Sequence, residues 1–253
     1  ICDKILKTKR KRPSVDKNNP DISIRAVISG QNCKIYLNSS GNPLYIRGYK
    51  KNTHKASINE SLASGLISLS GWNKNDNFLD PMCGSGTIPL EASMIKKEIP
   101  AGIYRDFSFQ KWMNYDRDVF SSIIKNAKQR IDEESKSNIY ASDINSDYVN
   151  SCNSNLQDFK FNLGLNFRLK NINSFDDSKK YHIVTNPPYE IRIGDEYQIN
   201  IIHKGFQKLL KSSCSIYIIY PENSNFIKDN YNSKKISTIY NGPIKCGFYK
   251  ISI

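Results

Sequence analysis

Residues 77–97 constrain the fold more than any other stretch. A short apolar run, Asn77-Phe78-Leu79-Asp80, passes directly into Pro81-Met82-Cys83-Gly84-Ser85-Gly86-Thr87, and a helical pattern begins at once. A strand that turns into a helix through a glycine loop opens a βαβ unit, which buries its faces only as part of a layered, mostly parallel sheet. The chain around it alternates as that requires. A helix at 57–70 carries Ile58, Leu62, Leu66 and Leu69 on one face and ends at Gly71. Helices are expected at 87–97, 116–133, 145–159 and 197–211, and strands at 77–80, 138–143, 166–171, 181–185 and 215–220. Two last strands, 234–240 and 246–253, flank Asn241-Gly242-Pro243 and read as an antiparallel hairpin. The expectation is an α/β fold with a Rossmann-like, mostly parallel seven-stranded sheet and a C-terminal antiparallel hairpin.

The first 48 residues read differently. Lys4, Lys7, Lys9, Arg10, Lys11 and Arg12 precede a polar stretch between Pro13 and Pro20, as in a linker or the tail of a preceding domain. Short β-like runs at 22–28, 33–37 and 44–46 suggest a small β-rich remnant. Two regions are therefore expected, 1–48 and 49–253, and Ile1 in place of Met suggests a fragment.

A net charge of +13 and a pI near 9.3 point to a polyanionic partner. Heavy use of Lys, Asn, Ile and Tyr also fits a plain compositional bias. The six cysteines form no Cys-x-x-Cys pair, so a reducing, cytoplasmic setting is expected rather than a disulfide framework or zinc ribbon. His54, His182 and His203 have no metal-ligand spacing, and no apolar run reaches the roughly 20 residues of a membrane helix. Neither metal nor membrane is expected as a partner; the oligomeric state is open.

The glycine loop has three readings. A phosphate-binding loop of the Walker type needs Lys after Gly86, and Thr87 stands there. A dinucleotide fingerprint needs a third glycine where Pro89 stands. A short loop that opens on a carboxylate fits S-adenosylmethionine, with Asp80 near its methionine moiety and Cys83, Gly84, Gly86 and Thr87 beneath it. Asp143, at the end of the next strand, suits the ribose hydroxyls, although a helix cap before Asn145 is the competing role. Ile144 would line the adenine, with Asn171 and Ile172 at its edge.

Asn186-Pro187-Pro188-Tyr189 follows a strand aimed at the same sheet edge. An amine on a base is a weak nucleophile because its lone pair is delocalised into the ring. Two acceptors, the Asn186 side-chain oxygen and the Pro187 carbonyl, can draw the nitrogen toward tetrahedral geometry, while Tyr189 stacks on the base. The prolines restrict the backbone. Catalysis would come from orientation rather than a strong base. Glycine loop and clamp together read as S-adenosylmethionine-dependent methylation of an amino group, a chemistry shared by adenine, guanine-amino and glutamine-amide targets.

Several segments carry a more specific resemblance: Arg12 to Asp16, Asn19 to Asp21, Gly41 to Lys50, Asn59 to Ala63, Asp80 to Glu91, Phe107 to Trp112, Asn186 to Tyr189 and Tyr240 to Cys246. Nearly the whole chain resembles the bacterial RlmL-type 23S rRNA guanine-N2 methyltransferases, THUMP-domain enzymes of the class I methyltransferase fold. The resemblance implies N2-guanine methylation with S-adenosylmethionine. It places cofactor contacts on Asp80, Gly84, Gly86, Thr87, Asp143 and Asn171, and catalysis on Asn186 and Tyr189. It also implies that 1–48 ends an RNA-binding domain. The chain departs from the family at Ala56-Ser57, where Ala-Pro is usual, and at Asn171, where Asp is usual. A tRNA target, adenine-N6 methylation of DNA, or a non-catalytic RNA-binding module are the alternatives. The DNA enzyme would bring a sizeable target-recognition domain, and intact Asp80, Asp143 and Asn186 argue against the inert module.

Overall fold

The computed structural model describes residues 2–49, 57–175, 178–189, 196–212 and 214–252, without the side chains of 196–198. Lys50, His54 and Ala56 lie outside them. The chain divides into two compact units, Ile1–Pro43 with Arg105–Ile123, and Leu44–Tyr104 with Ile124–Ile253.

In the first unit, the segment expected as a linker or the tail of a preceding domain opens with a helix, α1 (Cys2–Lys9), that buries no residue. Asp3 in its first turn and Lys7 and Lys9 in its last match the helix dipole, which periodicity alone does not report. Strands β1 (Ile24–Ser29) and β2 (Asn32–Leu37) form an antiparallel pair whose register places Ile24 opposite Leu37 and Ser29 opposite Asn32. The aromatic insertion folds on itself: Phe107, Phe109, Tyr115 and Phe120 pack with centroids 5.4–6.3 Å apart. Arg105 donates to the carbonyls of Ser40, Asn42 and Pro43 at 3.0, 2.6 and 2.8 Å.

The second unit is the layered α/β domain. Residues 44–46, expected as a strand, pair with no described strand, and Leu44 and Tyr45 sit in a turn. Their β-favourable side chains stay exposed because no sheet edge receives them. Helix α2 (Glu60–Ser70) starts three residues later than its apolar pattern suggests. Asn59 is extended and its side chain accepts from Leu62 N at 2.7 Å, which fixes the start. The end falls where expected: Gly71 takes left-handed φ of 68°, a conformation costly for other residues.

Strand β3 (Phe78–Asp80) leads to α3 (Thr87–Lys96). Helix α4 (Arg117–Gln129), β4 (Ile139–Asp143), α5 (Ser146–Gln157), β5 (Phe167–Leu169), β6 (His182–Thr185), α6 (Glu196–Lys211) and β7 (Ser215–Pro221) follow. A short helix, α7 (Phe226–Asn230), which the pattern gives no sign of, precedes β8 (Asn232–Asn241) and β9 (Ile244–Ser252). The sheet order is β5-β4-β3-β6-β7-β9-β8. The first five strands in that order run parallel, and β9 pairs antiparallel with both β7 and β8. The expected seven-stranded sheet with its terminal hairpin is therefore present.

Alternation along β7 divides the core. Ile216, Ile218 and Tyr220 face a layer with Phe206 and Leu209 of α6, whereas Tyr217 and Ile219 join Leu66 and Ile67 of α2. Each buried aliphatic or aromatic side chain contributes about 1.5–3 kcal/mol. The order also sets β3 between β4 and β6, so their carboxyl ends lie side by side, where open α/β sheets bind ligands.

Candidate active site

Asp80 closes β3 with its side chain almost completely buried, 1% exposed. It accepts from the Thr185 hydroxyl at 2.7 Å and from Met82 N at 3.3 Å. Burial dominates these favourable contacts and raises its pKa to about 7, with the nearby Asp143 adding to the effect. Thr185 has no apolar reason to end β6; a hydroxyl directly after Ile183 and Val184 is the sequence signal that points to this contact.

The loop after Asp80 is closed by main-chain bonds. Cys83 N donates to Ser142 O at 2.9 Å, and Gly86 N donates to Cys83 O at 2.8 Å. Gly84 and Gly86 both have positive φ, 52° and 78°. A Cβ on Gly86 would lie 2.8 Å from ring atoms of Phe167 and 2.9 Å from the Cys152 sulfur, so this loop passes too close to β5 and α5 for any other residue. The Cys152 thiol donates to Gly84 O at 3.1 Å. Hydrogen bonding with Cys152, then burial, holds the Cys83 thiol well above the ordinary range, so it is an unreactive wall of the loop.

Asp143 ends β4 at the same edge. Its carboxylate accepts from Gly84 N and from Asn145 N, each at 2.9 Å. The helix cap is Asn145, which accepts from Asp147 N and Tyr148 N at 2.8 and 3.4 Å. Asp143 thus ties the glycine loop to the adjacent strand and does not cap α5 itself. Ile144 is 65% exposed beside it. Asn171 follows β5, and its side-chain oxygen accepts from Asn173 N at 2.9 Å and Asn173 Nδ2 at 3.2 Å. Its amide nitrogen is then the group a ligand could meet. Ile172 lies in the core, where its side chain would fill the space of a Cβ on Gly205. Its main chain rather than its side chain is what the sheet edge offers.

Three hydroxyls gather at the start of α3. Ser57 Oγ lies 2.6 Å from Ser85 Oγ and 3.3 Å from Thr87 Oγ1, and Ser85 and Thr87 lie 3.2 Å apart. Ser57, one of the departures from the family pattern, therefore contacts the loop directly.

Asn186 follows β6 at the same edge. Its side-chain oxygen is buried and has no hydrogen-bond partner among the described residues. A carbonyl left this way costs about 1–3 kcal/mol, and such groups in a native fold usually await a ligand or water. Pro187 is buried, Pro188 exposed and Tyr189 partly buried. The Tyr189 ring meets Tyr220 edge-on with centroids 5.7 Å apart, and burial pushes its hydroxyl pKa far up. The sheet thus brings Asp80, the glycine loop, Asp143, Asn171 and Asn186 to one edge from four strands.

Comparison with known proteins gives the family to which the chain belongs. A THUMP domain matches residues 1–38. The chain is 32% identical over 201 residues to the "Ribosomal RNA large subunit methyltransferase K/L" of Psychromonas ingrahamii, covering 77% of this chain and 27% of that protein. It is 31% identical over 204 residues to slr0064 of Synechocystis, whose name gives RNA methylation as a provisional assignment, covering 80% and 53%. Among solved structures, SMU.472 in complex with SAH superposes with a TM-score of 0.84 at 26% identity, over 98% of this chain and 67% of that one. A possible methylase from Clostridium difficile 630 gives 0.82 at 28%, over 98% and 66%. The chain spans about a quarter to a half of the length of these two curated relatives. Residues 47–249, from Arg47 through the terminal hairpin, match UPF0020, described as the RMKL-like methyltransferase domain, and the chain belongs to that family.

Proposed function

We propose that this chain transfers a methyl group from S-adenosylmethionine to the exocyclic N2 amine of an unpaired guanine in RNA, with 23S rRNA before or during ribosome assembly as the target. The observation that carries the reading is the buried, unpartnered Asn186 side-chain oxygen at the carboxyl edge, one strand away from the glycine loop. An acceptor left in that state suits a substrate N–H, and the Pro187 carbonyl supplies the second acceptor.

The cofactor-side residues fit the molecule. Asp80, a buried carboxyl, suits the ammonium of the methionine moiety, and in the loop of Cys83, Gly84, Gly86 and Thr87 the open space at Gly84 leaves room for backbone contact. Asp143 suits the ribose hydroxyls and the exposed Ile144 one adenine face, with Asn171 and the main chain of Ile172 at its edge. Bound S-adenosylmethionine supplies an electrophilic methyl group; the chain's own residues hold and aim the amine. Tyr189 presents a ring to the base. Among the described residues no side chain beside the clamp is read as a strong base, so the rate enhancement is assigned to orientation. The THUMP match and the charge of +13 support an RNA partner, and the end of an RNA-binding domain is assigned to residues 1–48. An RNA target of this kind places the work in the cytoplasm.

The test is methyl transfer from radiolabelled S-adenosylmethionine to protein-free 23S rRNA, with the product nucleoside identified. N2-methylguanosine is expected, and Asn186→Ala should lower turnover about 100-fold while SAH affinity holds. Another methylated nucleoside overturns the guanine assignment, and an unchanged rate in Asn186→Ala overturns the role of the clamp.

A further inference from the structure

The clamp is held from the far end of the chain. Tyr189 closes the Asn186–Tyr189 segment, and its hydroxyl oxygen accepts from Asn241 Nδ2 at 3.3 Å. The Cys246 thiol, which donates to Ile244 O at 3.7 Å, lies near the same hydroxyl. Both residues belong to the terminal hairpin: Asn241 is the last residue of β8, opposite Ile244, and Cys246 lies two residues further along β9. In β7, Pro221 pairs with Cys246, so the hairpin tip sits at the carboxyl edge beside the clamp.

The segment between the two ends is stiff. Pro187 and Pro188 fix φ at successive residues, and Pro187 further restricts Asn186. A stiff four-residue segment transmits the placement of one end to the other. Tyr189 is pinned on two sides, by Tyr220 edge-on and by Asn241. Asn186, at the other end, has no hydrogen bond among the described residues to hold its side-chain oxygen in place.

We propose that Asn241 is a positioning residue for methyl transfer: its side-chain amide fixes the Tyr189 hydroxyl and thereby sets the pose of the Asn186 acceptor toward the substrate amine. The inference rests on the function proposed above and deepens it. It gives the Asn-Gly-Pro turn a task at the site rather than in the hairpin alone. The asymmetry between a pinned Tyr189 and an unpinned Asn186 is what requires an outside anchor. Reaction geometry is sensitive to displacements of an ångström or less, so losing the anchor should be visible in rate before it is visible in fold.

The experiment compares the wild type with Asn241→Ala, Asn241→Asp, Tyr189→Phe and the Tyr189→Phe/Asn241→Ala double variant. Each is assayed on protein-free 23S rRNA with radiolabelled S-adenosylmethionine, and SAH affinity is measured by calorimetry. Asn241→Asp keeps the shape but removes the donated N–H, and Tyr189→Phe keeps the ring but removes the hydroxyl. Each single variant should lower kcat about 10-fold, with SAH Kd changed less than about twofold, and the double variant should be no slower than the slower single. Wild-type kcat in Asn241→Ala, or losses that multiply in the double variant, overturn the assignment. A wild type that binds SAH but methylates no RNA overturns the parent reading, and this inference with it.

Discussion

Asp80 offers the sharpest test of the site, because a group suited to binding is expected to weaken the fold. Its carboxyl is buried at the end of β3 and titrates near 7 in the folded chain, against 3.8 for an ordinary aspartate. Between those values the folded chain holds a proton that the unfolded chain has released. Stability therefore falls as pH rises from about 4 to about 7, and the full cost is present above 7. A difference of roughly 3 units at 1.36 kcal/mol per unit is about 4 kcal/mol. Asp80→Asn keeps an oxygen to accept from Thr185 and Met82 and removes the charge. The variant should therefore match the wild type closely at pH 4 and exceed it by about 3–4 kcal/mol at pH 8. For a domain of this size that is a melting temperature about 6–15 °C higher. Thermal denaturation of both proteins across pH 4–8.5, without ligand, measures the gap. SAH binding should be lost in the variant and should tighten in the wild type as pH rises through 7. A gap that stays constant across the pH range would refute the argument that a buried, charge-penalised carboxyl stands at this position.

Three further outcomes follow from the same geometry. Gly86→Ala forces a Cβ to within 2.8–2.9 Å of Phe167 and Cys152 at a φ of 78° and should destabilise by about 2–4 kcal/mol, read by urea denaturation. Lys97, 1% exposed, donates to the carbonyls of Glu133 and Ser135 at 2.8 and 2.9 Å and to that of Asp132 at 3.5 Å; Lys97→Met should cost about 2–3 kcal/mol and loosen residues 132–135 in hydrogen exchange. Because a paired or protein-covered guanine cannot reach the clamp, protein-free 23S rRNA should be methylated well ahead of finished large subunits, as a side-by-side labelling assay would show.

Sequence periodicity determined much of this protein by itself. The strands of the seven-stranded sheet, its helices other than α7, the Gly71 stop, the glycine loop and the terminal hairpin follow from spacings within one or two turns or pleats, which the chain writes locally. The placement of Asp80, Asp143 and Asn186 at strand ends is likewise local, since Asp80 and Asp143 close their own strands and Asn186 directly follows β6. Apart from the start of α2, which the local Asn59 cap decides, the deciding partner is distant or absent where expectation and structure part. Residues 44–46 have the composition of a strand, but no strand receives them. Ile172 is drawn into the core by Gly205 on α6, and the Asp143 carboxylate is taken up by Gly84 N, 59 positions earlier. Thr185 meets Asp80 across 105 positions, and Asn241 meets Tyr189 across 52. Only the order in which strands pair creates these contacts, and with them the loss of water that moves the titration of Asp80. Solvent exclusion belongs to the assembled sheet, because no segment of a few residues can remove water from its own carboxylate.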